Sequence, residues 1–111
     1  MKKVNIIKES RDFTRIIKNN KPFKYMDFLV YKENKKSDVY KFGFSVGKKI
    51  GNAVVRNKVK RRLKSIIDKR KYKDNFNCVI IARKGIAERS YQELEKNLFF
   101  VIDKLGLTKE K

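Results

Sequence analysis

The chain has 111 residues, with 31 Lys and Arg against 12 Asp and Glu, and its formal charge of +19 at pH 7 indicates a polyanionic partner, above all nucleic acid. Its hydrophobic fraction of 41% is enough for one core, which excludes a disordered basic tail, and its length excludes a second domain. The absence of His excludes His-based catalysis and His metal sites. The single Cys excludes intramolecular disulfides and Cys-based zinc sites, and it is typical of a protein of the reducing cytoplasm.

The first half of the chain predicts one helix and two strands. Residues 10–20 are amphipathic at helical spacing, and Pro22 follows as a stop. Residues 23–31 are mostly aromatic or β-branched, which predicts a strand buried on both faces, and residues 39–46 alternate between apolar and polar side chains, which predicts a second strand. Since the polar residues 33–38 are typical of a turn, we expect the two strands to pair as a hairpin.

The second half of the chain predicts a helix, a strand and a further helix. A helix of about 19 residues begins at Asn52, a typical N-cap, and carries an apolar stripe that fits a sheet. Residues 78–82 are apolar and predict a buried strand. A capping box from Ser90 to Glu93 begins the last helix, and Gly106 is typical of its C-terminal cap.

These elements predict an α+β fold in the order α-β-β-α-β-α, in which helices pack on a small mixed sheet, and they leave open one extra short strand. We assign most of the aromatic side chains and the cysteine to the core: Tyr25, Tyr40, Phe42, Phe44, Cys78, Phe99 and Phe100.

The positive charge is concentrated in one segment. Residues 48–71 hold eleven basic residues and one acid, Asp68, and carry more than half of the net charge. On the predicted helix Arg56, Lys60 and Lys64 follow one another at intervals of four and share a face, while the apolar stripe lies on the other side. We interpret the apolar face as part of the core and the basic face as a phosphate-binding surface.

Two other interpretations of this helix stay open. A Lys-rich face can simply be solvated, although ordinary exposed helices mix charge signs and this one has no acid before Asp68. A basic amphipathic helix can also lie on a membrane, but its apolar face would then be unpaired, whereas this helix lies between two predicted strands and is needed to cover the sheet. We therefore favour nucleic acid over both.

Residues 42–64, which read FGFSVGKKIGNAVVRNKVKRRLK, resemble the protein component of bacterial ribonuclease P. That family's signature is a Lys-Lys-x-Gly-x-Ala-Val-x-Arg-Asn-Arg-x-Lys-Arg run. One position departs from it: Lys58 stands where the family usually has an Arg, which keeps the charge but loses the planar fork that binds phosphate bidentately. The matching residues are Lys48, Lys49, Gly51, Ala53, Val54, Arg56, Asn57, Lys60 and Arg61.

The resemblance implies a fold and a function. The fold is like the second domain of a small-subunit ribosomal protein, with a left-handed βαβ crossover through the basic helix, and residues 1–111 form a single RNA-binding domain. The family's protein binds a large catalytic RNA, and together they use Mg²⁺ to hydrolyse the 5′ leader from precursor tRNA. The RNA subunit carries the chemistry and, with the substrate, most of the Mg²⁺, so no catalytic residue is expected in the protein and no metal ligand is assigned.

The distribution of acids agrees with this division of labour. A protein-only nuclease needs clustered carboxylates to hold Mg²⁺, whereas the acids of this chain are scattered singly along it. The rival that stays open is a basic ribosomal or other structural RNA-binding protein on the same fold. Neither function predicts a membrane or DNA partner.

The family's two RNA contacts imply two sets of residues in this chain. A basic groove with aromatic rings is the usual way to hold a single strand, and the family's cleft for the leader lies between the first helix and the sheet. The cleft set is Phe13, Ile17, Leu29, Tyr31 and Ser45, with packing rather than stacking expected at Ile17. A core position for Phe13 and Tyr31 stays equally open. The set for the RNA subunit is Lys48, Lys49, Asn52, Arg56, Asn57, Lys58, Lys60, Arg61 and Lys64.

Overall fold

Three α-helices cover the two faces of a four-stranded mixed sheet in the structure, a computed structural model that describes residues 1–109. The elements in chain order are α1 (Ser10–Asn19), β1 (Phe23–Tyr25), β2 (Phe28–Asn34), β3 (Lys41–Ser45), α2 (Ala53–Ile67), β4 (Phe76–Ala82) and α3 (Tyr91–Lys104). The α+β prediction is confirmed, and β1 is the extra short strand.

The strand predicted over residues 23–31 is two antiparallel strands, β1 and β2, joined by a tight turn at Met26 and Asp27. Met26 has a φ of 50°, and the buried carboxylate of Asp27 accepts a 2.6 Å hydrogen bond from Nε of Arg89. Hairpin turns of this length usually contain a Gly, and this one has Asp27 but no Gly, so residues 23–31 give only a weak turn signal.

The predicted hairpin between residues 23–31 and 39–46 is wrong, because β4 lies between β2 and β3. β2 pairs with β4 in antiparallel register and β3 pairs with β4 in parallel register, which gives the strand order β1-β2-β4-β3. β4 is apolar and almost completely buried, so it takes a central position with a neighbour on each side. β3, α2 and β4 form a βαβ unit between adjacent strands, and its left-handed crossover stays a prediction.

The sheet carries a large core on one face and a small core on the other. The large core contains Cys78, as predicted, and burial raises the pKa of its thiol to about 12, so the thiol is unreactive. α2 contributes its predicted stripe to the large core through Val59, Leu63, Ile66 and Ile67. The small core lies under α1 and consists of Ile7, Ile16, Tyr31 and Val79, with partly buried side chains packed against it.

α2 and α3 have the predicted beginnings. Asn52 caps α2, and the Ser90–Glu93 capping box is present at α3. α2 has 15 residues and is shorter than predicted, because the chain turns back after Ile67, whose carbonyl accepts a 2.6 Å hydrogen bond from the Tyr72 hydroxyl.

The core assignment of Phe100 is wrong. Its ring is 39% exposed, because the helical period of α3 puts it on the outer side of the helix, away from the buried Leu98 and Val101.

Candidate nucleic-acid interface

Gly51 and Asn52 fix the basic loop to the first turn of α2. The Asn52 Oδ1 accepts a 3.0 Å hydrogen bond from the backbone N–H of Val55. Gly51 has a φ of 157°, and a Cβ at this position would lie 2.9 Å from the Val55 side chain, so the loop needs glycine here. Lys48 and Lys49 lie in the 3₁₀ turn just before Gly51 and are exposed. The loop thus leads two cations to the N-terminus of α2, where free N–H groups favour an anion.

α2 keeps its charged side chains away from the core, as predicted. No acidic residue lies in the helix. Three candidate side chains are exposed: Asn57, Lys58 and Arg61. Three more are half-buried at the border of the core: Arg56, Lys60 and Lys64. Within residues 1–109 none of the basic candidates on the loop or the helix forms an ion pair, which leaves their charge available to phosphates. We call Lys48, Lys49, Asn52, Arg56, Asn57, Lys58, Lys60, Arg61 and Lys64 the loop–helix surface.

Arg56 carries a polar atom that the protein leaves unsatisfied. Its Nε is buried and has no hydrogen-bond partner within residues 1–109. A buried donor without a partner costs about 1–3 kcal/mol, whereas an anionic oxygen beside it would remove that cost and add a charge-assisted bond. The side chain is therefore arranged for an acceptor that the free protein does not supply.

A groove of about 380 Å³ lies between α1, the end of β3 and α2. A smaller hollow of about 220 Å³ adjoins it and adds Lys8 and Lys64 to the rim. Three of the five predicted cleft residues, Phe13, Ile17 and Ser45, line the groove together. We call this groove the α1 groove; its lining residues are Ser10, Phe13, Thr14, Ile17, Phe44, Ser45, Val46 and Lys60.

Sequence reasoning missed two features of the α1 groove. Phe44, which we assigned to the core, is half-buried and lines the groove as well. Lys60 and Lys64, which we assigned to the RNA subunit, also border the groove and the adjoining hollow. The row of Arg56, Lys60 and Lys64 therefore contributes its last two members to both surfaces. Its position beside the apolar stripe is visible in the helical period, but the neighbouring α1 is not.

Phe13 sits directly on the backbone of β3. A Cβ added at Gly43 would lie 2.7 Å from Cζ and 2.8 Å from Cε1 of the Phe13 ring. Real Cβ atoms do not approach so closely, so the ring can occupy this place only because residue 43 has no side chain. Gly43 thus positions the aromatic ring of the groove, a role that no sequence pattern indicated.

Leu29 and Tyr31 lie beneath α1 and do not line the α1 groove. Tyr31 is buried in the small core, and Leu29 is half-buried against the same cluster. Both side chains therefore support α1 from the sheet. Contact of either residue with an RNA strand stays a prediction.

A cluster of charged side chains ties α1 to the sheet. The Arg15 guanidinium donates two 3.1 Å hydrogen bonds to the Glu33 carboxylate and one of 2.7 Å to Asp12. Asn77 of β4 donates a further 2.9 Å hydrogen bond to Glu33. Hydrogen bonding to Arg15 is the main reason why the pKa values of Glu33 and Asp12 lie below their ordinary range. The cluster spans residues far apart in the chain, so sequence spacing does not reveal it.

Neither a metal site nor a membrane span is found in the part of the chain that the structure describes. Residues 1–109 bring together no group of three His, Cys, Asp or Glu side chains that could hold a metal ion. A Mg²⁺ ion needs several oxygen ligands, so the protein's side chains alone do not fit it. No helix in this part of the chain is long and apolar enough to cross a membrane. The predicted apolar stripe of α2 packs into the large core.

Comparison with known sequences identifies the family of this chain. A model of the ribonuclease P family matches residues 1–106. The chain is 40% identical over 108 residues to the ribonuclease P protein component of Streptococcus agalactiae, covering 96% of this chain and 99% of that protein. It is 42% identical over 103 residues to the ribonuclease P protein component of Streptococcus pyogenes, covering 92% of this chain and 87% of that protein.

Solved structures with the same fold carry the same name. The RNase P protein of Staphylococcus aureus matches with a TM-score of 0.86 and 31% identity, covering 96% of this chain and 100% of that chain. The RNase P protein of Thermotoga maritima matches with a TM-score of 0.80 and 27% identity, covering 88% of this chain and 94% of that chain. The likeness therefore extends over nearly all of the fold.

Proposed function

This chain belongs to the ribonuclease P protein family, which acts in the processing of the tRNA 5′ end, and we propose that it binds the RNA subunit and the 5′ leader through two different surfaces. The observation that carries the proposal is the basic face of α2, which has no acid, forms no ion pair with any of residues 1–109, and holds Arg56, Asn57, Lys60 and Arg61 of the signature run. The family match over residues 1–106 favours this function over a ribosomal or other structural RNA-binding protein.

The loop–helix surface is our candidate for the RNA subunit. Its cations replace counterions on RNA phosphates, and the release of those ions drives binding. Phosphates near the N-terminus of α2 gain hydrogen bonds from free backbone N–H groups beyond the Asn52 cap. A phosphate oxygen beside Arg56 would also satisfy its buried Nε. Binding thus removes an unfavourable feature of the free protein.

The α1 groove is our candidate for the leader. A single strand is held by rings that accept its bases and by cations that follow its phosphates. Phe13 and Phe44 supply rings to the groove, and Lys60 lies beside both. Lys8 and Lys64 extend the positive charge along the adjoining hollow. Because Lys60 and Lys64 are shared with the loop–helix surface, a leader in the groove lies next to the RNA subunit.

We place the chemistry in the RNA subunit. The chain has no His to act as a general base, and the carboxylates of residues 1–109 form no metal cluster. Mg²⁺ held by RNA phosphates would supply the nucleophile and stabilise the leaving oxygen. The protein's part is to lower the repulsion between leader and RNA, which raises the affinity for substrate and Mg²⁺. The cytoplasm, where precursor tRNA is made, is the compartment that we propose.

Reconstitution tests this function. The full chain is added to a bacterial ribonuclease P RNA at a low Mg²⁺ concentration, at which the RNA alone cleaves precursor tRNA slowly, and leader release is measured. We expect the protein to accelerate cleavage, because its cations replace part of the missing Mg²⁺. Absence of any acceleration would contradict the proposed function.

Two controls separate binding from catalysis. The protein without RNA is expected to release no leader, and cleavage under those conditions would refute the placement of the chemistry in the RNA. Lys36→Ala removes one exposed charge outside both surfaces and should accelerate cleavage as the unchanged chain does. If it lost the effect, net charge rather than the two surfaces would explain the acceleration.

A further inference from the structure

A second surface with aromatic rings and cations lies on α3, at the β1 edge of the sheet. The rings of Tyr25 and Phe100 are stacked, with centroids 4.3 Å apart and an interplanar angle of 24°. The Lys104 Nζ lies 5.5 Å from the centroid of the Phe100 ring. Lys96 and Lys104 are four residues before and after Phe100, so the three side chains form one row along the helix. We call Tyr25, Lys96, Phe100 and Lys104 the α3 patch.

The α3 patch is basic because the acids of the same helix are engaged elsewhere. Glu93 belongs to the capping box, and Glu95 and Asp103 pair with basic residues that follow α2. Within residues 1–109, Lys96 and Lys104 form no ion pair. An exposed ring therefore lies between two cations whose charge no described residue neutralises.

One kind of occupant uses every feature of the α3 patch. A second copy of this chain would bring another formal charge of +19 and be repelled. An acidic peptide would meet the lysines, but it supplies a flat group for the exposed ring only where it also contains an aromatic residue. Single-stranded RNA supplies bases that stack on aromatic rings and phosphates that meet lysines. We propose that the α3 patch binds an unpaired segment of RNA, with one base stacked at Phe100 and the adjacent phosphates on Lys96 and Lys104.

The α3 patch is separate from both surfaces described above. The α1 groove opens at β3, and the strand order places β1 at the opposite edge of the sheet. At a strand spacing of about 4.8 Å, the two edges are about 14 Å apart. α1 covers one face of the sheet, whereas α3 packs on the large core of the other face. A strand on the α3 patch is therefore a different stretch of RNA from the leader in the groove, and the inference does not depend on the function of the groove.

A tryptophan at position 100 tests the inference directly. The chain contains no Trp, so Phe100→Trp gives the protein one indole, located at the α3 patch. We would titrate the full-length variant with a uridylate hexamer and follow indole fluorescence, which a stacked base quenches. The variant Phe99→Trp is the matched control, because Phe99 is the adjacent residue but lies outside the α3 patch. The Arg70 Cζ lies 3.8 Å from the centroid of its ring. We expect saturable quenching at position 100 and much weaker quenching at position 99.

Two additional variants separate the α3 patch from the other surfaces. Phe13→Ala, combined with Phe100→Trp, should leave the quenching unchanged, because the groove lies at the other edge of the sheet. Lys104→Ala should reduce the log–log salt slope of the quenching titration by about 0.7, the contribution of one phosphate contact, whereas Lys36→Ala should not.

Three results would overturn the inference. One is equal quenching at positions 99 and 100, which indicates contact without a defined site. Another is no quenching at position 100 at concentrations where anisotropy of a labelled hexamer shows binding, since the RNA would then occupy only the other surfaces. The third is a change in emission that depends on protein concentration without RNA, which would identify the α3 patch as a contact between copies.

Discussion

Arg56 and Arg61 lie five residues apart in α2 and differ in how far the protein buries them. Arg61 is exposed, so its guanidinium can be removed without loss of packing. Arg56 is half-buried, and its Nε has no partner among the described residues. At both positions the guanidinium fork suits a phosphate, whereas Lys58 between them presents a single point charge. The three residues thus contribute to one surface in different ways.

Arg56→Ala and Arg61→Ala should weaken binding to the RNA subunit while the fold is kept. Loss of a charge-assisted hydrogen bond costs about 1.5–3 kcal/mol, so the dissociation constant should rise about tenfold or more in filter binding. Arg56→Ala should leave the free energy of unfolding unchanged or higher, because it removes a buried donor without a partner. A loss of helical circular dichroism in either variant would mean that the side chain is structural. Lys36→Ala is the matched control for charge.

Gly43→Ala should displace the Phe13 ring from its place on β3. The added Cβ would lie 2.7 Å from the ring, so the ring must move toward the α1 groove or α1 must shift. We expect weaker binding of leader-bearing precursor tRNA by the reconstituted enzyme, with little change for a substrate without a leader. Unchanged binding of both substrates would show that the position of Phe13 does not matter. Gly47→Ala is the matched control, because a Cβ there meets nothing within 4 Å.

At the scale of elements, the helices were predictable and the strand pairing was not. Amphipathic periods, Asn52 and the Ser90 capping box are local signals, and the structure confirms the helices they predict. Strand partners depend on contacts between distant residues, so the alternation in residues 39–46 indicates a strand but not its neighbour. The turn at Met26 and Asp27 is stabilised by Arg89, which is 62 residues away from Asp27, and no local pattern could reveal it.

The attachment of α1 to the sheet should depend on pH. Glu33 and Asp12 have pKa values below their ordinary range in the folded protein, so they contribute stability above the ordinary carboxylate pKa and lose it as the pH falls through the lowered values. The free energy of unfolding in urea should therefore fall between about pH 5 and pH 3. Glu33→Gln should flatten this fall, since it removes the anion but keeps an acceptor. An equal fall in both proteins would contradict the role of the cluster.

At the scale of the whole molecule, the fold divides a single large charge among several surfaces. The concentration of cations in residues 48–71 was visible in the sequence, and so was the family to which the chain belongs.

The groove was only partly predictable: Phe13, Ile17 and Ser45 meet there as expected, but Phe44 and Lys60 join them only because α1 packs beside β3 and α2. Leu29 and Tyr31 lie on the same face of the sheet as the groove, but they pack beneath α1. Chain spacing does not show which of these residues α1 covers.

The charge predicts a definite salt dependence of leader binding. A leader that contacts about four phosphate-binding cations should give a log–log slope near −3, since each phosphate on a single strand contributes about −0.7. The slope is measured from the difference in affinity between substrates with and without a leader across a range of KCl concentrations. A flat response would exclude phosphate contacts in the α1 groove.

Two surfaces of this chain carry two separable contacts, and the reconstituted enzyme can distinguish them. The reconstituted enzyme is assembled with Phe13→Ala or Arg61→Ala protein, with the RNA subunit saturated, and its affinity is measured for precursor tRNA with and without a leader. We predict that Phe13→Ala lowers the ratio of the two affinities, whereas Arg61→Ala leaves the ratio unchanged and instead raises the protein concentration needed to saturate the RNA subunit. Two results would contradict this separation of contacts. One is that Phe13→Ala lowers the affinity equally for both substrates, and the other is that Arg61→Ala lowers the ratio while assembly stays normal.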